Sequence, residues 1–443
     1  MQGTVFGSII CTAVIDKLAK IFYENKDILY KYKGEVEVPI LGMVDDVLAV
    51  NRCSNEAVMS NSTINKFMEL NKLRLSGTKC HRMHIGKQTF SCPDLHIYEN
   101  KMETSKQEKY LGDIITSDGK QDKNIENRIA RAWSYFAEIR ALINEFPFGK
   151  RKTEVGLMLR EAMFMNGILY NSESWHGITK THMEELALVD KNLMRFILSA
   201  HAKTPIEFLY LESGAKPVNF VVSSRRLNYL KEIHIRKDHE LVKRVFEAQQ
   251  RNPLKGDWTE LVRLDMENCD INKEYFNTLD KVSAKHEIKT KTNEAAFKYL
   301  KHEQSQHKKV KDISYPRYEI QNYLKSAKVT NQEAEIITAL RSRTLRGIKD
   351  NFHTQHSEDL NCNLCEIQTD TQEHCMICPK ILSNIVINKE HIRYDHIFGT
   401  TDQQKEVAQL YLKLLKCREG LLLEKESNNE NANQGLRLDP VPT

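Results

Sequence analysis

The chain has no long apolar run, which limits the kinds of protein it can be. No segment approaches the roughly 20 consecutive apolar residues that a bilayer span needs. The apolar stretch from Val5 to Ile15 lacks a preceding basic region and is too short to span, so it predicts neither a signal peptide nor an anchor. We therefore expect a soluble protein with no membrane partner.

Cysteines are sparse over most of the chain. The 443 residues contain 10 cysteines, fewer than the disulfide framework of a small secreted domain would need at this length. Four of them crowd into the segment from Cys362 to Cys378 and the rest are scattered. This usage predicts a reducing, intracellular setting, either the nucleus or the cytoplasm.

Neither sign of charge is in large excess, since the formal net charge is +5. The excess is local, because the window Lys281–Lys311 holds nine lysines and three glutamates, a net charge of +6. Such a window can follow the phosphate backbone of a nucleic acid. The alternative interpretation is a solvated helix face, and the sequence leaves both open.

No repeat of fixed period is visible, and the hydrophobic pattern changes along the chain. Residues 1–120 mix short strands and helices, whereas residues 121–345 have the three- and four-residue apolar spacing of amphipathic helices. We predict a Cys/His module over 346–398, a further helix over 399–420 and a disordered tail over 421–443. The expected fold class is α+β.

Two adjacent carboxylates follow one predicted strand and precede another. Asp45 and Asp46 lie within the segment Gly34–Asn51, whose flanks are β-branched and aliphatic. Carboxylates held together at a tight turn repel each other, and a divalent metal relieves that repulsion. Polymerases use such carboxylates in two-metal phosphoryl transfer. An Asp-Asp pair in a hairpin is by itself more often only a turn.

Four segments occur in an informative order. They are QGTVFGS (Gln2 to Ser8), MVDDVLAV (Met43 to Val50), LSGTKCHRMHIG (Leu75 to Gly86) and KYLGDIITSDG (Lys109 to Gly119). Their order and spacing resemble the successive palm motifs of non-LTR retrotransposon (LINE-type) reverse transcriptases. The chain departs from the family pattern at Ser8, where Pro is usual, and at Met43, where Tyr or Phe is usual.

The resemblance implies functional roles for particular residues. Gln2 and Gly3 match the nucleotide-side motif, Asp45 and Asp46 match the Mg²⁺-binding motif, and Lys79 matches a lysine that protonates the leaving pyrophosphate. The implied partners are an RNA template, a DNA primer and dNTPs. KYLG matches the segment that steadies the primer end.

The resemblance also implies a further metal-binding aspartate on a strand before the Gln-Gly motif. We expect that strand and the fingers to be missing from this chain, so that the active site is incomplete. Asp16 follows the motif within a predicted helix and does not replace the missing aspartate.

A zinc site is the second expectation. The spacing is Cys362-x2-Cys365-x8-His374-x3-Cys378, and Zn²⁺ takes four N and S ligands in a tetrahedron. The x2 gap fits a knuckle turn, and the last two ligands are one helical turn apart. We predict a closed structural site, with Cys375 as a spare thiol; the resembling elements carry a similar module. The alternative is unrelated cysteines in a polar loop.

The resemblance therefore implies a truncated reverse-transcriptase palm over 1–120 and a helical thumb and connector over 121–345, and the Cys/His spacing predicts a zinc module. The implied activity is RNA-directed DNA synthesis with Mg²⁺, and whether the chain is an active enzyme is left open. The alternatives are a catalytically inactive nucleic-acid-binding remnant and a helical interaction protein. Arg341, Arg343 and Arg346, just before the cysteines, are further candidates to meet phosphate.

Overall fold

A computed structural model describes residues 5–86, 93–145, 152–352, 360–386 and 391–435. About 59% of the chain is helical and the strands are few and short, which confirms the mixed α+β fold. The helices are α1 Val5–Glu24, α2 Ser54–Leu70, α3 Asp122–Glu145, α4 Lys152–Leu159, α5 Asn166–Ile168, α6 Lys180–Ile197, α7 Ile206–Ser213, α8 Val218–Ile235, α9 Leu241–Arg251, α10 Trp258–Asn268, α11 Lys273–Thr278, α12 Lys281–Ser305, α13 Asn322–Lys325, α14 Asn331–Arg341, α15 Lys349–Phe352, α16 Gln372–Ile377, α17 Pro379–Leu382 and α18 Thr401–Gly435.

The strands pair only in twos within the described residues. They are β1 Tyr30–Tyr32, β2 Val36–Val38, β3 Leu41–Met43, β4 Asp46–Leu48, β5 His81–Arg82, β6 His96–Ile97, β7 Asn100–Lys101, β8 Glu103–Thr104, β9 Gln107–Tyr110 and β10 Asp113–Thr116. The β5–β8 pair is parallel, and the pairs β1–β2, β3–β4, β6–β7 and β9–β10 are antiparallel. The strand-turn-strand prediction around the two aspartates is confirmed by β3–β4.

Two other segments with a strand-like sequence pattern form only short strands. The alternating segment Thr78–Gly86 contains a 3₁₀ turn, Gly77–Lys79, and then only the two-residue strand β5. The segment from Lys109 is a hairpin rather than one strand, because Leu111 and Gly112 adopt φ of 48° and 92° between β9 and β10. Two consecutive left-handed residues form the tight turn that joins antiparallel strands.

The N-terminal helix forms a small core with the aspartate hairpin and α2. Apolar residues four apart on α1 face this core, as a helical period requires. Its fully buried members are Leu18, Phe22, Ile28, Ile40, Phe67 and Met68, with Val47 of β4 packed against them.

The chain divides into two compact units that are not contiguous in sequence. The first unit comprises Met1–Arg128, Tyr170–His182 and Val222–Lys291, and the second comprises Ile129–Leu169, Met183–Val221 and Thr292–Thr443. The helical region predicted over 121–345 is therefore shared between the units. The aspartate hairpin belongs to the first unit and the cysteine-rich segment to the second.

The last helix is longer than predicted. We expected a helix over 399–420 and a disordered tail over 421–443, but α18 continues to Gly435. Leu421, Leu422 and Leu423 extend its apolar content, and Glu424 and Lys425 are strong helix formers. The tail is rich in Asn and Glu, a composition that predicts disorder. The extent of α18 follows instead from these helix-forming residues.

None of the described helices is long and apolar enough to cross a membrane.

Candidate functional site

The two aspartates lie at the tip of the β3–β4 hairpin. Met43 pairs with Asp46, so that Val44 and Asp45 are the two turn residues. Both carboxylate side chains belong to exposed residues. The structure thus places two exposed carboxylates, adjacent in sequence, at the tip of the hairpin.

The backbone of this turn is strained at Val44. Its φ is +60°, a left-handed value that a β-branched side chain rarely adopts and that glycine normally supplies at the first position of such a turn. Strain of this kind costs of order 1–3 kcal/mol and tends to occur at functional sites. The residue preferences of such turns therefore do not explain why valine occupies this position.

The hairpin is held against α1 by a close backbone approach. A Cβ atom at Gly42 of β3 would lie 2.4 Å from Cγ2 of Ile15, well inside van der Waals contact. Only glycine allows the strand this near to the helix. On the same helix Asp16 is exposed and pairs with Lys20 at 3.3 Å, so Asp16 is engaged with a lysine of its own helix.

One residue of another motif lies within electrostatic range of Asp46. The pKa of Tyr110, in the KYLG segment, is raised by burial and then by the negative charge of Asp46. Lys79 is exposed in the turn Gly77–Lys79, and among the described residues no ion pair joins it to either aspartate. Gln2 and Gly3 lie outside the described residues.

The turn between β9 and β10 is packed against Tyr170 and Asn171. A Cβ at Gly112 would lie 2.9 Å from the ring of Tyr170, and the Asn171 amide donates to the carboxylate of Asp113 at 3.0 Å. The buried Arg128 also donates to Asp113. Within the first unit these contacts fix the β9–β10 turn.

Four side chains of the second unit converge to form a Cys/His cluster. The ligand atoms of Cys362, Cys365, His374 and Cys378 all lie within 4.8 Å of one another. Sγ of Cys362 is 3.9 Å from Sγ of Cys378, and Sγ of Cys365 is 3.3 Å from Nε2 of His374. A tetrahedral Zn²⁺ separates its sulfur and nitrogen ligands by roughly 3.5–3.8 Å. The cluster can therefore hold a metal such as zinc.

Local structure explains how the cluster forms. The first two cysteines flank a turn closed by the Glu366 N–H, which donates to the Cys362 carbonyl at 2.8 Å. Thr371 caps α16, since its hydroxyl accepts from the His374 N–H at 3.0 Å. Helix α16 then places His374 one turn before Cys378.

The orientation of His374 fits metal binding through Nε2. Its Nδ1 lies 2.8 Å from Oε1 of Gln368, which can only accept, so the Nδ1 atom carries the proton and Nε2 has a free lone pair. A second partner of this kind is typical of metal-bound histidines. Burial lowers the pKa of His374, which favours the neutral, metal-binding form.

The thiols of the segment differ in their ease of ionisation. Burial raises the pKa of Cys365, but the Ile367 and Gln368 N–H groups and neighbouring thiols bring it below its usual value. Burial raises the pKa of Cys378 to about 11 and that of Cys375 to about 12. Cys375 is buried outside the four-residue group, as predicted for a spare thiol.

The cluster is built into a larger hydrophobic core rather than a free loop. Buried residues of α14, α16, α17, α18 and the segments that connect them form one group with the cysteines: Leu340, Leu345, Ile348, Cys362, Cys375, Met376, Cys378, Ile381, Ile397, Val407, Leu410, Tyr411 and Leu414. On α18, the nearly buried Arg418 donates to Oδ2 of Asp370 at 2.8 Å and to Sγ of Cys362 at 3.7 Å. No sequence pattern indicated that Arg418 would support the cluster.

The three arginines before the cysteines are not equivalent. Arg341 is only 5% exposed and donates through Nε and Nη2 to Oε1 of Glu212, at 3.0 and 2.8 Å. Its predicted role at phosphate is therefore wrong, because its charge is used inside the core. Arg343 pairs with Glu373 at 2.8 Å, whereas Arg346 is exposed.

The basic window Lys281–Lys311 includes all of α12 and the loop after it. Lys285 and Lys298 are exposed on α12, while Lys281 pairs with Glu232 at 2.7 Å and Lys291 with Asp270 at 3.7 Å. A stripe at four-residue spacing, including Ala284, Ile288, Thr292, Ala296 and Leu300, is buried. The window is thus an amphipathic helix with a partly neutralised outer face.

No known family model matches this sequence, and no curated protein and no solved structure is significantly similar to it.

Proposed function

We propose that the chain derives from the RNA-directed DNA polymerase of a non-LTR retrotransposon, with Asp45 and Asp46 as its Mg²⁺-binding pair. The observation that carries this proposal is the strained hairpin tip, where Val44 holds a left-handed backbone and two adjacent carboxylates are exposed. Backbone strain of this kind is concentrated at functional sites. The order of the four sequence motifs supports the same interpretation.

The donor set fits the metal. Mg²⁺ takes oxygen ligands and keeps several waters, so one or two exposed carboxylates are its usual protein ligands. When bound, it would supply electrostatic stabilisation of phosphate oxygens. Asp45 and Asp46 would hold the ion, and Tyr110, next to Asp46, is a neighbour on the side of the β9–β10 hairpin. dNTP, DNA primer and RNA template are the proposed substrates.

Primer extension on poly(rA)/oligo(dT) with Mg²⁺ tests the activity. We expect weak or no extension by this polypeptide alone, with any extension lost in Asp45→Ala and retained in Asp16→Ala, a matched change on the neighbouring helix. Extension that is insensitive to Asp45→Ala would reject the proposed site. Binding of template–primer without extension would favour the second candidate, a nucleic-acid-binding remnant.

Metal binding at the hairpin can be measured separately. Paramagnetic Mn²⁺, which shares the oxygen preference of Mg²⁺, should broaden the amide signals of Val44 to Val47 in the wild type. Asp45→Asn with Asp46→Asn should abolish the broadening. Unchanged broadening in that variant would contradict the assignment of the pair as a cation site.

We also propose that the Cys/His cluster binds one structural Zn²⁺. All four coordination positions are taken by protein atoms, which leaves no open position for substrate. The purified chain should contain one equivalent of zinc, and Cys365→Ser should contain little. The control is Cys375→Ala, which removes a thiol of the same segment and should keep the metal. Equal zinc in Cys365→Ser would reject the site.

A further inference from the structure

Five basic side chains of the second unit come together from three distant segments. His201 and Lys203 follow α6, Lys309 follows α12, and Arg343 and Arg346 follow α14. We refer to these five residues as the basic cluster. Their separation in sequence means that the fold, and no local charge run, creates this concentration of positive charge.

Two contacts fasten the three segments to one another. The hydroxyls of Thr204 and Thr344 are 3.0 Å apart and both residues are buried. The Lys309 ammonium donates to the Arg343 carbonyl at 3.4 Å, and Arg343 has a left-handed φ of 51°. The segments are therefore held in place at the points from which the basic side chains project.

The charges of the cluster act on one another. After burial, the positive charges of Arg346, Lys203 and Lys309 lower the pKa of His201. The pKa of Lys309 is lowered by burial and then by Lys203 and Arg343, against the opposing effect of Asp350. Like charges are thus close enough to repel, which an anion would relieve.

Acidic residues also lie near the cluster. Glu373 pairs with Arg343 at 2.8 Å, and Asp350 acts on both Arg343 and Lys309. The side chains of Lys203 and Arg346 are exposed to solvent. Basic side chains that are grouped at an exposed surface attract anionic partners from solution.

We propose that the basic cluster binds the phosphate backbone of a nucleic acid. The exposed Lys308 and Lys311 extend the positive surface beyond Lys309 along the chain, so it suits a polymer with repeated charges better than a single anion. Arginine and lysine together supply a planar donor pair and mobile point charges, the usual phosphate-binding groups. The choice of a nucleic acid as the partner rests on the proposed function. The basic cluster adds to that function a contact for the template or the primer.

The test is binding of a short fluorescent DNA duplex, followed by anisotropy at several salt concentrations without Mg²⁺ and without dNTPs. The variant is Lys203→Gln with Arg346→Gln. Its control is Lys285→Gln with Lys298→Gln, which removes two exposed lysines from α12 and gives the same net charge. Zinc content and circular dichroism should be the same for all three proteins, because the four residues are exposed.

The log–log salt slope should fall by about 1.8 in the Lys203 and Arg346 variant, since each phosphate contact contributes about 0.9. At about 0.1 M salt this corresponds to a loss of affinity on the order of tenfold or more. The control pair should change both quantities much less. Equal losses in the two variants, or a wild-type affinity that does not depend on salt, would overturn the proposal.

Two further measurements fix the identity of the partner. Poly-glutamate at matched charge should bind more weakly than the duplex; equal binding would overturn the assignment to a nucleic acid. Asp45→Ala should bind the duplex as well as the wild type does. Failure of the polymerase proposal in primer extension is therefore distinguishable from failure of this site, which is measured without catalysis.

Discussion

The Nη1 atom of Arg418 lies 3.7 Å from Sγ of Cys362, which joins the middle of α18 to the first cysteine of the Cys/His cluster. Three thiolates and a neutral imidazole around Zn²⁺ carry one net negative charge. The Arg418 guanidinium, 3% exposed at its side chain, also binds Asp370. It is thus placed to compensate both anions.

Replacing Arg418 should weaken metal binding without removing a ligand. In Arg418→Gln we expect zinc affinity to fall by about 10- to 100-fold, the usual effect of losing a partner of a metal ligand. Competition with a chromogenic chelator measures this. Lys413→Gln, at an exposed position of the same helix, is the control, and an equal loss there would contradict the role of Arg418.

Glu212 should be far more important for stability than an exposed carboxylate. It is fully buried and accepts from Arg341 and from the Tyr315 hydroxyl, so Glu212→Gln leaves a buried guanidinium without its anion. We expect a loss of about 3–5 kcal/mol in the free energy of unfolding. Denaturant titration should show at most about 1 kcal/mol for Asp402→Asn, whose pair with Lys328 is exposed. Similar values for both variants would contradict the burial argument.

His234 should make the first unit less stable in mild acid. Burial, followed by the charges of Lys243, Lys231 and Lys273, lowers its pKa from 6.5 to about 4. The unfolded chain therefore binds a proton between these values before the folded chain does, so stability is full above pH 6.5 and falls as the pH drops towards 4. For this partly exposed ring we expect a loss of about 1–2 kcal/mol. An NMR titration of the ring gives the pKa directly, and a value near 6.5 would reject the prediction.

Val44→Gly should stabilise the hairpin. Glycine removes the left-handed strain, of order 1–2 kcal/mol, but adds backbone entropy to the unfolded chain, so the net gain should be about 0.5–1 kcal/mol. The matched control is Val47→Gly on the paired strand β4, which should destabilise because β4 packs on the core. Thermal unfolding compares the two. A loss of stability in Val44→Gly would mean that the Val44 side chain outweighs its backbone strain.

The sequence predicted those parts of the fold and of the candidate sites that are formed by residues close to one another in the chain. The β3–β4 hairpin follows from β-branched flanks around Asp45 and Asp46, and the four metal ligands follow from short spacings within one segment. In both cases the residues concerned are within a few turns of chain, so local geometry nearly determines their position. The left-handed backbone of Val44 was not predicted, because valine disfavours that conformation.

Tertiary contacts decided what the sequence did not reveal. Arg341 and Arg346 are five residues apart and look alike in sequence, yet one ends a buried helix against Glu212 and the other is exposed. Likewise, Lys203 and Lys309 share no sequence pattern, and two contacts of the fold link them to one segment: Thr204 meets Thr344, and Lys309 donates to the Arg343 carbonyl. The local net charge pointed instead to α12 as the nucleic-acid contact, but part of the charge on that helix is paired within the fold.

Gly42 sets a limit on how the hairpin can vary in sequence. A Cβ atom at this position would meet the side chain of Ile15, so the position has little room for a side chain even though it is not one of the two exposed aspartates. In a library of substitutions across β3 and β4, position 42 should tolerate no replacement at all unless Ile15 shrinks with it. The two sites would then vary as a pair, although 27 positions separate them in the chain.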